Sequence, residues 1–349
     1  MSRVLRELTH PIVLAPLAGG PATPALAAAV CGAGGLGFLA AGYRKAEDVQ
    51  AEIRDFKRQA AVFGVNVFVP GDPSVDRAAV DAYLATLRPE AERLGVALGE
   101  PRFDDDGWDA KLAVLLEERV PVASFTFGCP SPSVIRSLQD HGTEVWVTAT
   151  TPDEARSARD AGVDAIVLQG NEAGGHRASW VDADDAPGMG VLPLVRLVAS
   201  EVDVPLVAAG GIGDGPALAA VLAAGAQAAQ LGTAFMLATE AGTSDAHRRA
   251  IASDRPTGLT RAFTGRLARG LMNEFMRRHD ADAPIGYPYV HYATAPLRAE
   301  ARNRGDADSF HLWAGQAHRL AIEAPAAEIV RQITEEGRGA VAATASRLA

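Results

Sequence analysis

The sequence predicts an α/β chain folded as a TIM-type (β/α)8 barrel, with a small cap inserted after the eighth strand. Three observations carry that reading. Eight short β-branched or small apolar runs recur along the chain, and alanine-rich helical stretches separate them. The Gly-rich and polar segments fall just after those runs. The chain has 349 residues, whereas a minimal barrel needs roughly 250, which leaves about a hundred for an insertion or extension.

The runs lie at residues 12–15, 37–40, 62–68, 122–125, 145–148, 165–168, 206–209 and 228–231. Helical segments between them include 24–31, 46–57, 152–161 and 215–224. A doubly wound open sheet shares this alternation, but the count of eight favours a closed barrel. Two departures stand out. Residues 75–116 are too long for one crossover helix, and 99–107 reads as a loop between two helices. After the eighth run, 240–310 loses the strand-helix rhythm and is rich in Arg, Gly, Pro and Tyr. The expected organisation is a barrel over 1–239, a cap over 240–310 on its top face, and closing helices over 311–349.

Hydrophobic residues make up 48% of the chain and charged residues 22%, enough for a large core and too little charge for general disorder. Thirty-three basic against 43 acidic residues give 33 − 43 = −10. That balance argues against a nucleic-acid partner and against adhesion to an anionic membrane. No apolar run approaches the roughly 20 residues of a spanning helix. The opening MSRVLRELTHPIVLAP lacks a signal peptide's long apolar region. Only Cys31 and Cys129 are present, too few for a disulfide framework. The expectation is a cytoplasmic monomer or homodimer acting on a small molecule.

Two Gly-rich turns carry the strongest chemical signal: Ala208-Ala209-Gly210-Gly211-Ile212-Gly213-Asp214-Gly215 and Gln230-Leu231-Gly232-Thr233. They end the seventh and eighth predicted strands. Such turns expose backbone N–H groups beside a helix start, which suits a phosphate, and phosphate sites recur there in these barrels. Glycine can also serve only to permit positive φ, but two such turns on adjacent strands favour phosphate. After the sixth run comes Gln169-Gly170-Asn171-Glu172-Ala173-Gly174-Gly175-His176-Arg177. His176 there is a candidate acid, base or hydrogen-bond donor, with an ordinary pKa near 6.5. Glu172 reads as a solvated acid.

Pro16 and Leu17 end the first run. Asn66 on the third can offer a heterocycle edge both a donor and an acceptor. Cys129, in Ser124-Phe125-Thr126-Phe127-Gly128-Cys129-Pro130, has no base beside it in sequence and reads as a free thiol near the pocket. The other seven histidines read as surface or structural residues. There is no GxGxxG turn after a first strand, no Walker loop and no His/Cys cluster at metal spacing.

Taken in order, these motifs resemble the nitronate monooxygenases, formerly called 2-nitropropane dioxygenases. The likeness runs from PIVLAPLAGGPATPALAAAVCGAGGLGFLAAGY through GVNVF, SFTFGCPS, QGNEAGGHR, AAGGIGDG and QLGTAF. It continues into TRAFTGRLARG and HLWAGQ, the segments most specific to the class I branch. Related flavin barrels, a flavin-dependent enoyl reductase among them, share the glycine turns but not those segments. The resemblance implies non-covalent FMN and oxidation of alkyl nitronates by dioxygen to a carbonyl compound and chiefly nitrite, without NAD(P)H. Propionate 3-nitronate is the implied substrate. It also implies FMN contacts at Pro16, Leu17, Asn66, Gln169, Gly174, Gly175, Gly210, Gly211, Gln230, Leu231, Gly232 and Thr233, with His176 in the active site. Leu17 departs mildly from the methionine expected in many relatives. The rival readings are an NAD(P)H-dependent FMN reductase acting on an enoyl thioester or quinone, and a non-enzymatic phosphate-ligand binder.

Overall fold

In a computed structural model that describes residues 2–183 and 188–349, the strands in chain order are β1 (Ile12–Leu14), β2 (Phe38–Ala40), β3 (Gly64–Phe68), β4 (Val122–Thr126), β5 (Glu144–Ala149), β6 (Ala165–Gln169), β7 (Gly175–His176), β8 (Leu206–Ala209), β9 (Ala228–Leu231), β10 (Thr257–Thr260) and β11 (Ala268–Leu271). Eight of them form one parallel sheet in the order β1-β9-β8-β6-β5-β4-β3-β2. The parallel bridge between Val13 and Leu36 joins its two ends, closing the barrel as expected. The third strand begins two residues later than the sequence suggests, because Val62 stays 37% exposed.

Alternation along the strands divides the barrel into two apolar layers. Val13, Phe38, Val122, Trp146, Val167 and Val207 pack inside, with the Phe38 and Trp146 rings 5.9 Å apart. Gly64 is required there, because a Cβ at that position would overlap the Phe38 ring. Ile12, Leu14, Val65, Val67, Phe125 and Leu168 face outward and pack in the layer shared with the helices. The N-terminal helix Arg3–Glu7 inserts Val4 and Leu5 into the interior cluster. It is tied down by Glu144, whose carboxylate accepts from Ser2 Oγ (2.6 Å) and from the backbone N–H of Arg3 (2.7 Å) and Val4 (3.0 Å). The N-terminal end of the barrel is therefore plugged, and the other end is left for a ligand.

The connection from β3 to β4 holds three helices, not the expected two: Arg77–Thr86, Arg88–Leu94 and Trp108–Glu118. The first two part at Leu87, where Pro89 sits in the first turn of the second, a place proline tolerates while it cannot continue a preceding helix. Val80, Tyr83, Leu84, Leu87, Ala91 and Leu94 from that pair pack with Phe263, Phe275, Val290, Leu297 and Phe310 in a separate apolar core. β10 and β11 pair antiparallel above the barrel, and β7 adds a third strand to them. The loop that leaves β6 thus climbs into this upper layer. The long helix Ala326–Leu348 packs on Gly215–Ala224 and Pro24–Gly32, in the position of the eighth barrel helix. Among the described residues no helix is long and apolar enough to cross a membrane.

Candidate active site

A cavity of about 460 Å³ opens over the C-terminal ends of the barrel strands, beneath the upper layer. Its size is typical of a small-molecule or cofactor site. Pro16, Leu17, Asn66, Gln169, Gly174, Gly175, His176, Gly210, Gly211, Gln230, Gly232 and Thr233 all line it. Leu231 is the exception. Its side chain is 1% exposed and packs in the outer apolar layer, because strand alternation turns Gln230 inward and its neighbour out.

One side of the cavity is built from backbone. Gly210 and Gly211 take φ of 108° and 70°, values that disfavour any side chain. Among the described residues, no acceptor takes the N–H of Gly211, Gly232 or Thr233. Thr233 Oγ1 accepts from Gly315 N–H at 3.0 Å, leaving its own proton to donate. A Cβ at Gly174 would lie 2.5 Å from the backbone of Ala314 and Gly315, so only glycine lets these two chains cross. Unsatisfied N–H groups on Gly turns at a helix start are the chemistry of an anion cradle.

The floor is set by side-chain amides. Asn66 is 3% exposed, and its Nδ2 donates to Ser124 Oγ (2.8 Å), Thr126 Oγ1 (3.0 Å) and the Ser124 carbonyl (3.2 Å). The carbonyl contact fixes which end is nitrogen, and Oδ1 is left as the free acceptor. Gln169 braces the next loop: its Nε2 donates to His176 O at 3.1 Å and its Oε1 accepts from Ala178 N–H at 2.9 Å. Glu172 is not a solvated acid. Both its oxygens accept from Val191 N–H at 3.0 Å, placing a negative charge at the start of helix Val191–Ala199, worth at most about 1 kcal/mol.

His176 sits on β7, opposite Ala268 of β11, with Nε2 2.9 Å from Thr264 Oγ1. Phe127, Tyr287 and Trp313 box the ring, with centroids 5.6–5.9 Å away. The imidazole is only partly buried, with its exposed part facing the cavity. Burial, with smaller contributions from the Arg266 and Arg298 charges, pushes its pKa down to about 3. The imidazole is therefore neutral throughout the physiological range, unlike the ordinary histidine anticipated from sequence.

Of the other lining residues, Tyr43, Phe127, Thr264, His311 and Trp313 lie in the segments PIVLAPLAGGPATPALAAAVCGAGGLGFLAAGY, SFTFGCPS, TRAFTGRLARG and HLWAGQ that the sequence singles out without assigning them a site role, and His247, His291, Arg298 and Arg302 lie outside any motif. His247, His291 and His311 are not scattered surface groups; they line the same cavity with Tyr43, Phe127, Thr264, Arg298, Arg302 and Trp313. Burial lowers His247 to about 4 and holds His291 and His311 well below the usual range. A helical stripe at Ala295, Arg298, Ala299 and Arg302 was available as a signal. Cys129 is absent from the lining, and burial raises its thiol to about 11, which removes it as a nucleophile.

These four histidines carry a stability prediction. In the unfolded chain an imidazole titrates near 6.5, whereas here the folded values are lower, so the unfolded state binds more protons as pH falls. Their contribution is complete above about 6.5 and is lost progressively as pH drops toward 4 and 3, at up to about 1.4 kcal/mol per histidine per pH unit. Thermal melts should show Tm falling steeply between pH 6.5 and 5, before carboxylates titrate. An unchanged Tm over that interval would show that water reaches the rings.

Among the described residues, no group of three or more His, Cys, Asp or Glu side chains is placed to hold a metal ion. The sequence profile of the nitronate monooxygenase family matches residues 2–336. A nitronate monooxygenase of Paraburkholderia phytofirmans is 43% identical over 344 residues, covering 95% of this chain and 93% of that one. A probable nitronate monooxygenase of Staphylococcus aureus is 38% identical over 341 residues, with 95% of each covered. The crystal structure of a nitroalkane oxidase from Streptomyces ansochromogenes superposes with a TM-score of 0.95 at 50% identity, over 98% of this chain and 100% of that one. FabK from Thermotoga maritima superposes at 0.76 with 29% identity, covering 99% of each. By the family match over nearly its whole length, this chain is an oxidoreductase and belongs to the nitronate monooxygenase family.

Proposed function

We propose that the chain binds FMN on the strand-top face and uses it to oxidise alkyl nitronates with dioxygen, giving a carbonyl compound and chiefly nitrite without NAD(P)H. Propionate 3-nitronate is the substrate that the family likeness favours. The observation that carries this reading is the division of one cavity into two chemistries. Free N–H groups of Gly211, Gly232 and Thr233 form a phosphate cradle, and His176 with its aromatic box lies on the cap side.

The residues present fit the cofactor. Gly210, Gly211, Gly232 and Thr233 would hold the phosphate. Asn66, through its free acceptor, and the Pro16–Leu17 turn would meet the ring system, while Gln169 holds the loop that carries His176. A cradle of this size suits a monophosphate. When bound, flavin supplies the acceptor for the substrate's electrons and their route to dioxygen. The protein's part is to bind, orient and exclude water. Phe127, Tyr287 and Trp313 line the His176 side of the cavity with apolar surface, and the neutral imidazole offers a hydrogen bond rather than a charge to the substrate. The two unpaired cysteines fit a reducing cytoplasm, with the chain acting as a monomer or homodimer.

The protein should purify yellow, release FMN rather than FAD on denaturation, and consume oxygen with propionate 3-nitronate in the absence of NADH. Oxygen uptake and flavin absorbance, followed together, test this. Rapid anaerobic bleaching by NADH alone, with no turnover of nitronate, would replace the reading with that of a nicotinamide-dependent flavin reductase.

A further inference from the structure

Lysine is almost never fully buried unless it is paired, yet the side chain of Lys111, on helix Trp108–Glu118, has no exposed surface. Its ammonium lies 2.7 Å from Asp106 Oδ2 and has no other partner among the described residues. The second carboxylate oxygen, Oδ1, accepts from the backbone N–H of Tyr43 at 2.8 Å, across 63 residues of sequence. A buried ion pair returns little net stability, because desolvation offsets the Coulombic attraction. What this one fixes is strained backbone. Tyr43 has φ of 65° and Asp106 φ of 57°, and for a residue as bulky as tyrosine that conformation is an outlier. Such backbone persists only where its surroundings over-determine it, and it gathers at ligand sites. The loop carrying Asp106 is itself braced: Asp104 Oδ1 accepts from Asp106 N–H at 2.9 Å and Asp105 Oδ1 from Gly107 N–H at 3.0 Å.

Tyr43 follows β2, and its side chain lines the strand-top cavity. Its ring stacks on His291, with centroids 4.2 Å apart and planes at 9°, and meets Phe68 edge-on at 5.3 Å. Tyr287 links it to the His176 side. The Tyr287 hydroxyl donates to Tyr43 Oη at 3.3 Å, and the Tyr287 ring lies 5.9 Å from His176. No acceptor among the described residues takes the proton of Tyr43 itself. Burial pushes that phenol up to about 12, so the proton is present at neutral pH. A donor left without a partner on a cavity wall is satisfied by whatever acceptor the cavity binds.

We propose that the Lys111–Asp106 pair is a positioning device for the active site, holding Tyr43 so that its hydroxyl donates to an oxygen of the bound nitronate group. Asp106 and Lys111 act from behind the wall, since neither lines the cavity. The inference rests on the nitronate reading and adds a ligand contact and the two residues that set it.

Two measurements on the flavin-loaded protein test it. One is kcat/KM for propyl-1-nitronate, whose only oxyanion is the nitronate group. The other is calorimetric affinity for butyrate, whose planar carboxylate mimics that group without reacting. Tyr43→Phe keeps the ring and loses the hydroxyl, and should lower both by about 10-fold or more, the scale of one hydrogen bond to an anion. Asp106→Gly with Lys111→Met suits the positive φ, leaves no lone buried charge and removes the acceptor for Tyr43 N–H; it should lose most of the same factor. Asp106→Asn with Lys111→Met keeps an oxygen in the place of Oδ1 and should restore it. Adding Tyr43→Phe to the Asp106→Gly double variant should bring no further loss, because both changes act through one hydroxyl. Losses that multiply would show a pair that serves only the fold and overturn the proposal. So would wild-type butyrate affinity in Tyr43→Phe, or a wild type that binds no butyrate. If the Asp106→Gly double variant fails to fold, Asp106→Ala with Lys111→Met is read in its place. If the wild type turns over no nitronate, the catalytic reading fails, and butyrate affinity across the same variants still decides the role of Tyr43.

Discussion

Gly211→Val strips the purified protein of most of its flavin, leaving less than about a tenth of the wild-type content. Gly211 holds φ at 70°, a conformation that costs an ordinary residue roughly 1–2 kcal/mol and a β-branched one more. A Cβ there would also lie 3.0 Å from Glu172 Cβ, tighter than side chains settle without movement. Rotating the turn to relieve the strain carries its N–H groups out of the cradle. Each charge-assisted bond from backbone to phosphate contributes about 1.5–3 kcal/mol, so losing one weakens retention by about 10-fold or more. Absorbance at the flavin band relative to protein measures this, with circular dichroism to show that the barrel persists. Gly211→Ala, which adds the strain but less bulk, should fall between. Full flavin in Gly211→Val would move the phosphate elsewhere on the strand tops.

The barrel was legible because parallel strands buried on both faces leave continuous apolar runs, and each run here is followed by its own turn and helix. The glycine turns were legible for a related reason, since a Gly-Gly pair at a strand end has few uses besides positive φ and close approach. Legibility stopped where a role depends on distant residues. β7 is two residues long and exists only because Arg269 and Ala268 of β11 pair with Gly175 and His176. Nothing local announces it. Helices Arg77–Thr86 and Arg88–Leu94 read as part of a crossover, yet their apolar faces pack against residues some two hundred positions later. Glu172 looked solvated because its partner, the Val191 N–H, lies nineteen residues on. Arg298 and Arg302 could have been placed on one helical face from spacing alone, but that this face meets a cavity without acids is a property of the assembled fold.

The same limit applies to His176. Its position beside two glycines pointed to function, but its proton affinity follows from Phe127, Tyr287, Trp313 and two arginines drawn from other parts of the chain. His176→Asn lowers oxidation of a neutral nitroalkane by about 10²-fold, the scale for loss of a general base, and reduces nitronate turnover far less. The hydrogen-bond network favours this assignment. Thr264 Oγ1 has three neighbours: His176 Nε2 at 2.9 Å, Arg266 O at 3.3 Å and Arg266 N at 3.4 Å. The carbonyl can only accept and the amide can only donate. All three contacts are satisfied when the hydroxyl donates to Arg266 O and accepts from an Nε2–H tautomer, which leaves the Nδ1 lone pair to take a proton from substrate carbon. A nitronate has already lost that proton and does not need the base. With the pKa held near 3, the imidazole is neutral from pH 5 to 9. The rise through 6.5 that an ordinary histidine would give is therefore absent, and the remaining pH dependence follows the substrate's own ionisation. Such a low pKa also makes the base weak, so neutral nitroalkanes turn over more slowly than their nitronates. Steady-state kinetics on both substrate forms at several pH values test each point. A limb near pH 6.5 that disappears in His176→Asn would show that bound ligand restores an ordinary pKa, and equal losses on both forms would make His176 a substrate-positioning residue.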